Sequence, residues 1–401
     1  MMIKAVLLDL DDTLLGNPTE RFVRDYLAAL AQFLTDRLGI ENIMASILAS
    51  TQAVITSQDP RRTNQEVFYA TLASVMPLDR ELFDRAVEAF YREAYPALQT
   101  ITQRRPIARR LIEWLIVHGY RLVVATNPLF PLVAVAQRLD WAGIPTGEFP
   151  FQLVTTLENM HFTKPHPEYY EEILARVGLQ ADEAILVGDD WKNDIIPAWQ
   201  AGLNTFWISN DGTRPNPVQP VQPDSFGTLD HFAWLVQDQN WLDTLAPRPL
   251  EPSHICPRLT GNLAGLLGIV SEIPPHVWHM RPDAEEWTPI EVLCHLRDSE
   301  RTVQRPRLET ILCEDNPFLS QPAAPPATQV CPESARQVAL AFAAERQQTL
   351  DFLAALPAEA WNRPARHYIF GPTTLVEMAN FTATHDRLHI EQLCQTVGKC
   401  V

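Results

Sequence analysis

Asp9, Asp11 and Asp12 stand directly behind a short apolar run in "MMIKAVLLDLDDTLL", and Thr13 follows them. Like charges crowded at a strand end repel one another, so the stretch reads either as a solvated acidic turn or as a site that needs a cation. Comparable groups recur behind other apolar runs. Thr126 and Asn127 follow "RLVVA"; Gly188, Asp189 and Asp190 follow "AILV", with Asp194 further on. Lys164, in "TKPHPEYY", precedes a helical pattern whose entry two prolines set. Carboxylates held together with only oxygen ligands suit Mg²⁺. One of them could attack a phosphorus centre and form an aspartyl-phosphate. A second, two residues along, could protonate the leaving oxygen and then deprotonate water. Thr126 and Lys164 would hold phosphoryl oxygens and balance the charge that develops. The whole chain has four lysines, Lys4, Lys164, Lys192 and Lys399, so one at such a place invites a role. Plainer readings apply to the neighbours. Asp12 and Thr13 read as turn and capping residues, Lys192 as a solvated loop charge, and Asn127 as either ligand or turn scaffold.

A second set lies near the C-terminus. In "TLVEMANFTATHDRLHIEQL", Met378, Phe381, His385, Leu388, His389 and Gln392 share one helical stripe expected to face a core. Two imidazoles at i and i+4 on such a face need partners; a metal is one, ordinary hydrogen bonding another. His295, in "EVLCHLRDSE", falls on another helical pattern. Cys294 and Cys394 miss the ligand spacing and read as core thiols, and His367 reads as a loop residue.

The elements that must carry these groups differ along the chain. After the strand at 4–8, helical patterns cover 18–38, 41–57, 64–75 and 79–93, the first stopping at Gly39 with Asn17 and Pro18 as its expected cap and first-turn residues. From about 104 onward, strands ("RLVVATN", "FQLVTT", "AILVG", "NTFWI") alternate with helices near 131–139, 167–177 and 193–201. That alternation implies crossovers and a parallel sheet covered on both faces. The proline-rich stretches 214–225 and 246–253 read as loop and linker. Beyond them, helical patterns at 257–272, 288–312, 333–355 and 374–396 suggest a four-helix bundle. Thr288/Glu291 and Thr374/Glu377 fit capping boxes, and Pro306 is expected to kink its helix.

Composition narrows the partners. The 401 residues are 46% hydrophobic and 20% charged, with a formal net charge of −17, which disfavours nucleic acid or an anionic membrane as partner. Hydrophobic stretches such as 263–270 are too short to span a bilayer, and Asp9 interrupts the first apolar run too early for a signal peptide. Six cysteines (Cys256, Cys294, Cys313, Cys331, Cys394, Cys400) lack CxxC spacing, so no disulfide framework is implied and a cytoplasmic location is expected.

The ordered set "DLDDTLL", "VVATN", "KPHPEYY" and "VGDDWKND" resembles the four motifs of haloacid dehalogenase-like (HAD) hydrolases, over about 1–245. The resemblance implies Asp9 as nucleophile, Asp11 as general acid/base, Thr126 as phosphate ligand and Lys164 as charge stabiliser. It implies Mg²⁺ held by Asp9, the Asp11 backbone carbonyl and Asp189, with Asp194 supporting. Aspartate at position 11 points to phosphate chemistry rather than to the dehalogenase branch. "EWTPIEVLCHLRDSE" and "HDRLHIEQL" resemble motifs of DinB-like (YfiT-like) domains, over about 255–401. There the resemblance implies His295, His385 and His389 around a second divalent metal, zinc, nickel or iron, and in some relatives a thiol-dependent transferase activity. The expected architecture is an α/β Rossmann-like core with a parallel sheet (1–15 and 99–245), an inserted helical cap (16–98), a linker (246–254) and an all-α four-helix bundle (255–401). The expected function is a Mg²⁺-dependent phosphatase acting on a small phosphorylated metabolite. The alternative makes the bundle the main activity, a metal-dependent transferase or hydrolase using a low-molecular-weight thiol. A homodimer through the bundle is also expected among the partners.

Overall fold

The computed structural model describes residues 2–40, 42–76, 79–322 and 333–401. Two compact units divide the chain: residues 1–169 with 181–248, and residues 170–180 with 249–401.

In the first unit six strands form one sheet: β1 Ala5–Leu8, β2 Arg121–Val124, β3 Leu153–Val154, β4 Ala184–Gly188, β5 Asn204–Ile208 and β6 Ser225–Gly227. Their order is β3-β2-β1-β4-β5-β6, and every pairing is parallel. All four side chains of β1 are fully buried, as expected for a central strand covered on both faces. Strand β6 and the helix Leu229–Asp238 arise at and beyond the end of the proline-rich loop; "SFG" is too short to carry a strand signal.

Between β1 and β2 the chain makes four helices, α1 Thr19–Leu38, α2 Ile43–Thr56, α3 Asn64–Val75 and α4 Arg80–Glu93. Gly39, at φ +67°, ends α1, and a Thr63–Glu66 capping box starts α3. Pro18, not Asn17, holds the N-cap position of α1, because the Asn17 amide is drawn to Asp11. The insertion is bracketed by a two-stranded ribbon in which Leu15 and Gly16 pair antiparallel with Arg104 and Gln103. A Cβ on Gly16 would sit 3.0 Å from the Gln103 carbonyl oxygen, a tight contact that the ribbon avoids by having glycine there. The following helices are α5 Pro106–Val117, α6 Leu132–Ala142, α7 Pro167–Val177, α8 Ile196–Gln200 and α9 Leu229–Asp238.

The second unit contains α10 Ile255–Glu272, α11 Pro289–Ser299, α12 Arg305–Cys313, α13 Ala335–Ala354 and α14 Leu375–Cys400. Both expected capping boxes form, with a third at Ser334 and Gln337. Between α11 and α12 a π-helical turn, Glu300–Gln304, widens the backbone just before Pro306. Three short strands, Phe318–Leu319, Pro364–His367 and Gly371–Thr374, make a small sheet that the helical patterns did not signal. Residues 170–180, expected with the α/β part, group with this unit. Glu171 is fully buried here, accepting from Arg258 at 3.2 Å and pairing with Arg387.

The buried face of α14 differs from the expected stripe. Ala379, Ala383, Asp386 and Ile390 are buried, whereas Leu388 is 58% exposed and His385 and His389 border the face half-buried. Charged residues reach this face because they are paired. Arg346 bridges Glu300 at 2.9 Å and Asp386 at 2.6 Å, and the Thr349 hydroxyl donates to Glu300. Cys294 is a buried core residue but is held in a disulfide rather than as the expected thiol. Cys313, Cys394 and Cys400 are free, and Cys331 lies outside the described residues. His367 is strand-borne and buried, against the expectation of a loop position. No helix among the described residues is long and apolar enough to cross a membrane.

Candidate active site and metal centre

Parallel pairing brings the carboxyl ends of β1, β2 and β4 to one edge, because Leu8 is in register with both Val124 and Val187. Asp9 continues the ladder, its amide donating to the Val187 carbonyl at 2.9 Å, while the Ala125 amide donates to Leu8 at 2.8 Å. Thr126 and Asp189 therefore stand level with each other, two residues beyond Val124 and Val187 and one beyond the level of Asp9. Lys164 reaches in from the loop before α7 and bridges Asp9 at 2.7 Å and Asp194 at 2.5 Å. Carboxylate oxygens of Asp9, Asp189 and Asp194 all lie within 4.8 Å of one another. A Cβ on Gly188 would fall 2.5 Å from Asp194 Oδ2, so glycine is what lets Asp194 approach the strand end.

The electrostatics of this cluster are unbalanced by its own residues. Three carboxylates against one ammonium leave two negative charges, the amount one divalent cation carries. Burial, opposed by Lys164 and reinforced by the Asp194 charge, raises the Asp9 carboxyl to about 7. Burial and then the Asp9 charge push Asp189 up to about 9. The donor set, oxygen only and over-charged, fits Mg²⁺.

The expected residues do not all converge. The Asp11 carboxylate has partners outside this cluster: Oδ2 pairs with Arg138, and Oδ1 accepts from the Asn17 amide at 2.7 Å. Arg138 lies on α6, is 1% exposed, and keeps Nε and Nη2 without a hydrogen-bond partner. Its guanidinium carbon sits 4.3 Å from the centre of the Phe130 ring. Thr126 is held through its carbonyl, which accepts from Thr155 Oγ1 at 2.7 Å and from the Tyr169 hydroxyl at 2.8 Å. Thr13, read as a turn residue, also places its hydroxyl 3.4 Å from Asp189 Oδ1. Asp12 adopts the left-handed region at φ +56°, as a turn residue would. The Asp190 carboxylate caps the amides of Lys192 and Asn193, at 2.8 and 3.0 Å, which accounts for it without a metal. Lys192 is exposed. Arg138, Thr155 and Tyr169 had no local sequence signal, since each meets its partner only through the tertiary fold, whereas Asn17, six residues from Asp11, signalled a cap instead.

In the second unit His295, on α11, meets His385 and His389, on α14, with ligand nitrogens within 4.8 Å of one another. His295 Nε2 and His385 Nε2 are 3.3 Å apart. Gln392 Oε1 lies 2.8 Å from His389 Nδ1; as an acceptor it sets the proton there and leaves the Nε2 lone pair available. Burial, with the His389 neighbour adding, lowers His295 to about 4 and His385 to about 2, so both imidazoles are neutral at pH 7. His385 Nδ1 is buried without a partner. Trp287 lies 5.1 Å from the His295 ring and stacks on His389 at 6.3 Å. Three neutral nitrogens converging in this way fit a borderline divalent metal.

Comparison with known proteins also divides the chain in two, with residues 170–180 inside the first match. Residues 3–202 match the family model described as haloacid dehalogenase-like hydrolase, and residues 258–393 match that of the DinB superfamily. The chain is thus an enzyme of the HAD-like hydrolase class, and it carries a DinB superfamily domain as its second part. It is 25% identical over 209 residues to "Pyrophosphatase PpaX" of Bacillus cereus (strain AH820), covering 52% of this chain and 84% of the relative. Among solved structures, 2-haloacid dehalogenase from Pseudomonas syringae pv. Tomato DC3000 covers 60% of this chain and 100% of its own, at 24% identity and TM-score 0.43. A HAD phosphatase from Thermococcus onnurineus covers 59% of this chain and 98% of its own, at 24% identity and TM-score 0.39.

Proposed function

We propose that the first unit is a Mg²⁺-dependent phosphatase that hydrolyses a small phosphomonoester through an aspartyl-phosphate on Asp9. The observation that carries this reading is Lys164 bridging Asp9 and Asp194 beside Asp189, with two negative charges left over. Asp9 Oδ1 is occupied by Lys164, so the other oxygen is the nucleophile. It attacks phosphorus as the ester P–O bond breaks, and Asp11 gives its proton to the departing alkoxide. Water then attacks the same phosphorus, Asp11 takes the proton, and Asp9 is released with inorganic phosphate. Asp11 must rotate from Arg138 toward the site for both transfers. Thr126 holds a phosphoryl oxygen and Lys164 offsets the equatorial charge. Mg²⁺, held by Asp9, the Asp11 carbonyl, Asp189 and, in support, Asp194, would supply electrostatic stabilisation of the phosphoryl oxygens.

In this reading residues 16–98 act as a cap that excludes water from the site. The test is steady-state hydrolysis of a phosphate-ester panel by the full-length protein with Mg²⁺. Asp9→Asn is expected to abolish turnover, and retention of full activity would overturn the nucleophile. The convergence of three neutral imidazoles favours a second reading for the other unit: His295, His385 and His389 hold zinc, nickel or iron, with a low-molecular-weight thiol as candidate co-substrate. Elemental analysis of the purified protein tests the metal. Loss of thiol-dependent turnover on its removal would test the chemistry.

A further inference from the structure

Resting on the phosphatase reading of the Asp9 site, we propose that the ester it cleaves carries an apolar alcohol of about the size of one aromatic ring. The group would be seated in a cavity inside the helical insertion. That cavity is about 160 Å³ and is walled by all four helices α1–α4 and by the segment that follows Thr126 and Asn127. Leu30, Ile47, Phe68 and Val87 supply its apolar wall, and Phe130 closes it on the sheet side. No charged side chain lines it. Apart from Gln65, its polar side chains already have partners: the Tyr26 and Tyr91 hydroxyls bond at 2.8 Å, Tyr69 donates to Asp84 at 2.8 Å, and Thr51 donates to the Ile47 carbonyl at 2.9 Å.

A sugar or nucleoside entering such a space would leave hydroxyls unpaired, at a cost of about 1–3 kcal/mol each. An apolar ring loses nothing comparable, and an apolar cavity of roughly 150 Å³ is known to accept benzene. The position suits a leaving group. Phe130 lies four residues after Thr126, and its ring is 4.3 Å from the Arg138 guanidinium, which in turn holds Asp11. The cavity wall is thus one side chain removed from the residue that would protonate the departing oxygen.

The experiment compares benzyl phosphate with glycerol 1-phosphate, whose alcohols are similarly poor leaving groups, and with inorganic pyrophosphate, using full-length protein and Mg²⁺. The expected result is a kcat/KM for benzyl phosphate about tenfold or more above the other two, the range one apolar pocket contact can supply. Val87→Trp, at a half-buried position of the wall, should lower benzyl phosphate turnover about tenfold and leave glycerol 1-phosphate within about twofold. Should that variant fail to fold, Val87→Ala should shift preference toward the bulkier 2-naphthylmethyl phosphate. Equal or better turnover of glycerol 1-phosphate or pyrophosphate overturns the inference and leaves the phosphatase reading standing. So does a Val87→Trp variant that folds and affects every ester alike. Absence of hydrolysis of any phosphate compound overturns both.

Discussion

Replacing Arg138 by methionine keeps much of the side chain's volume and removes its charge from beside Asp11. Arg138 is 1% exposed and the Asp11 side chain 17% exposed, so the pair is largely desolvated. Breaking a buried pair by removing one partner costs about 3–5 kcal/mol. Here the loss is smaller, because Asp11 keeps its bond from Asn17 at 2.7 Å and some solvent. Two guanidinium nitrogens without partners are also removed, which relieves part of the penalty. A net loss of about 2–3 kcal/mol remains. For a unit of this size that is a fall in Tm of about 4–12 °C. The assay is thermal unfolding of the parent, Arg138→Met, Asp11→Asn and the double variant. If the two side chains act on each other, the double variant should be less destabilised than the sum of the singles by about 2 kcal/mol. Losses that simply add within about 0.5 kcal/mol would refute the reasoning.

Three further outcomes are expected. The Asp9 and Asp189 carboxyls, raised to about 7 and 9 from 3.8, bind protons more tightly folded than unfolded. Without metal, their contribution to stability is therefore lost progressively as pH rises from about 4 through 9. Mg²⁺ competes with those protons, so its affinity should tighten from pH 6 to 9 in calorimetric titrations, and a pH-independent Kd would contradict the cluster. Gly188→Ala drives a Cβ to 2.5 Å from Asp194 Oδ2 and should displace it from Lys164, cutting both Mg²⁺ affinity and turnover about tenfold or more, as read by the same titration and by steady-state kinetics. His385→Ala should strip the second unit of its metal in elemental analysis while the far-UV spectrum stays unchanged, and retained metal would remove His385 from the ligand set.

What could be read from the sequence was whatever is local. Asp9, Thr126 and Asp189 directly follow apolar strands, so their convergence needs only the rule that parallel strands end at one edge. Lys164 stood out by its scarcity and its prolines. The helices of the insertion and of the second unit carried caps that could be recognised, such as Thr288 with Glu291 and Thr374 with Glu377. Long-range pairings were illegible. Arg138 sits within an ordinary amphipathic helix, 127 residues from the aspartate it meets. Asn17 looked like a cap because caps and carboxylate donors use the same side chain. The polar face of α14 misled the helical stripe, since Asp386 and Arg387 count as solvent-facing by type and are buried only because Arg346, Asn262 and Glu171 meet them. Strand β6 and the small sheet around Pro364–His367 are too short for any periodicity.

The indole of Trp287, packed against the His295 and His389 rings, makes the imidazole cluster self-reporting. A paramagnetic ion bound there would darken that fluorophore, whereas zinc, with its filled shell, would leave it bright. The difference spectrum between the parent and Trp287→Phe therefore distinguishes nickel or iron from zinc by light alone, against the background of the chain's other nine tryptophans.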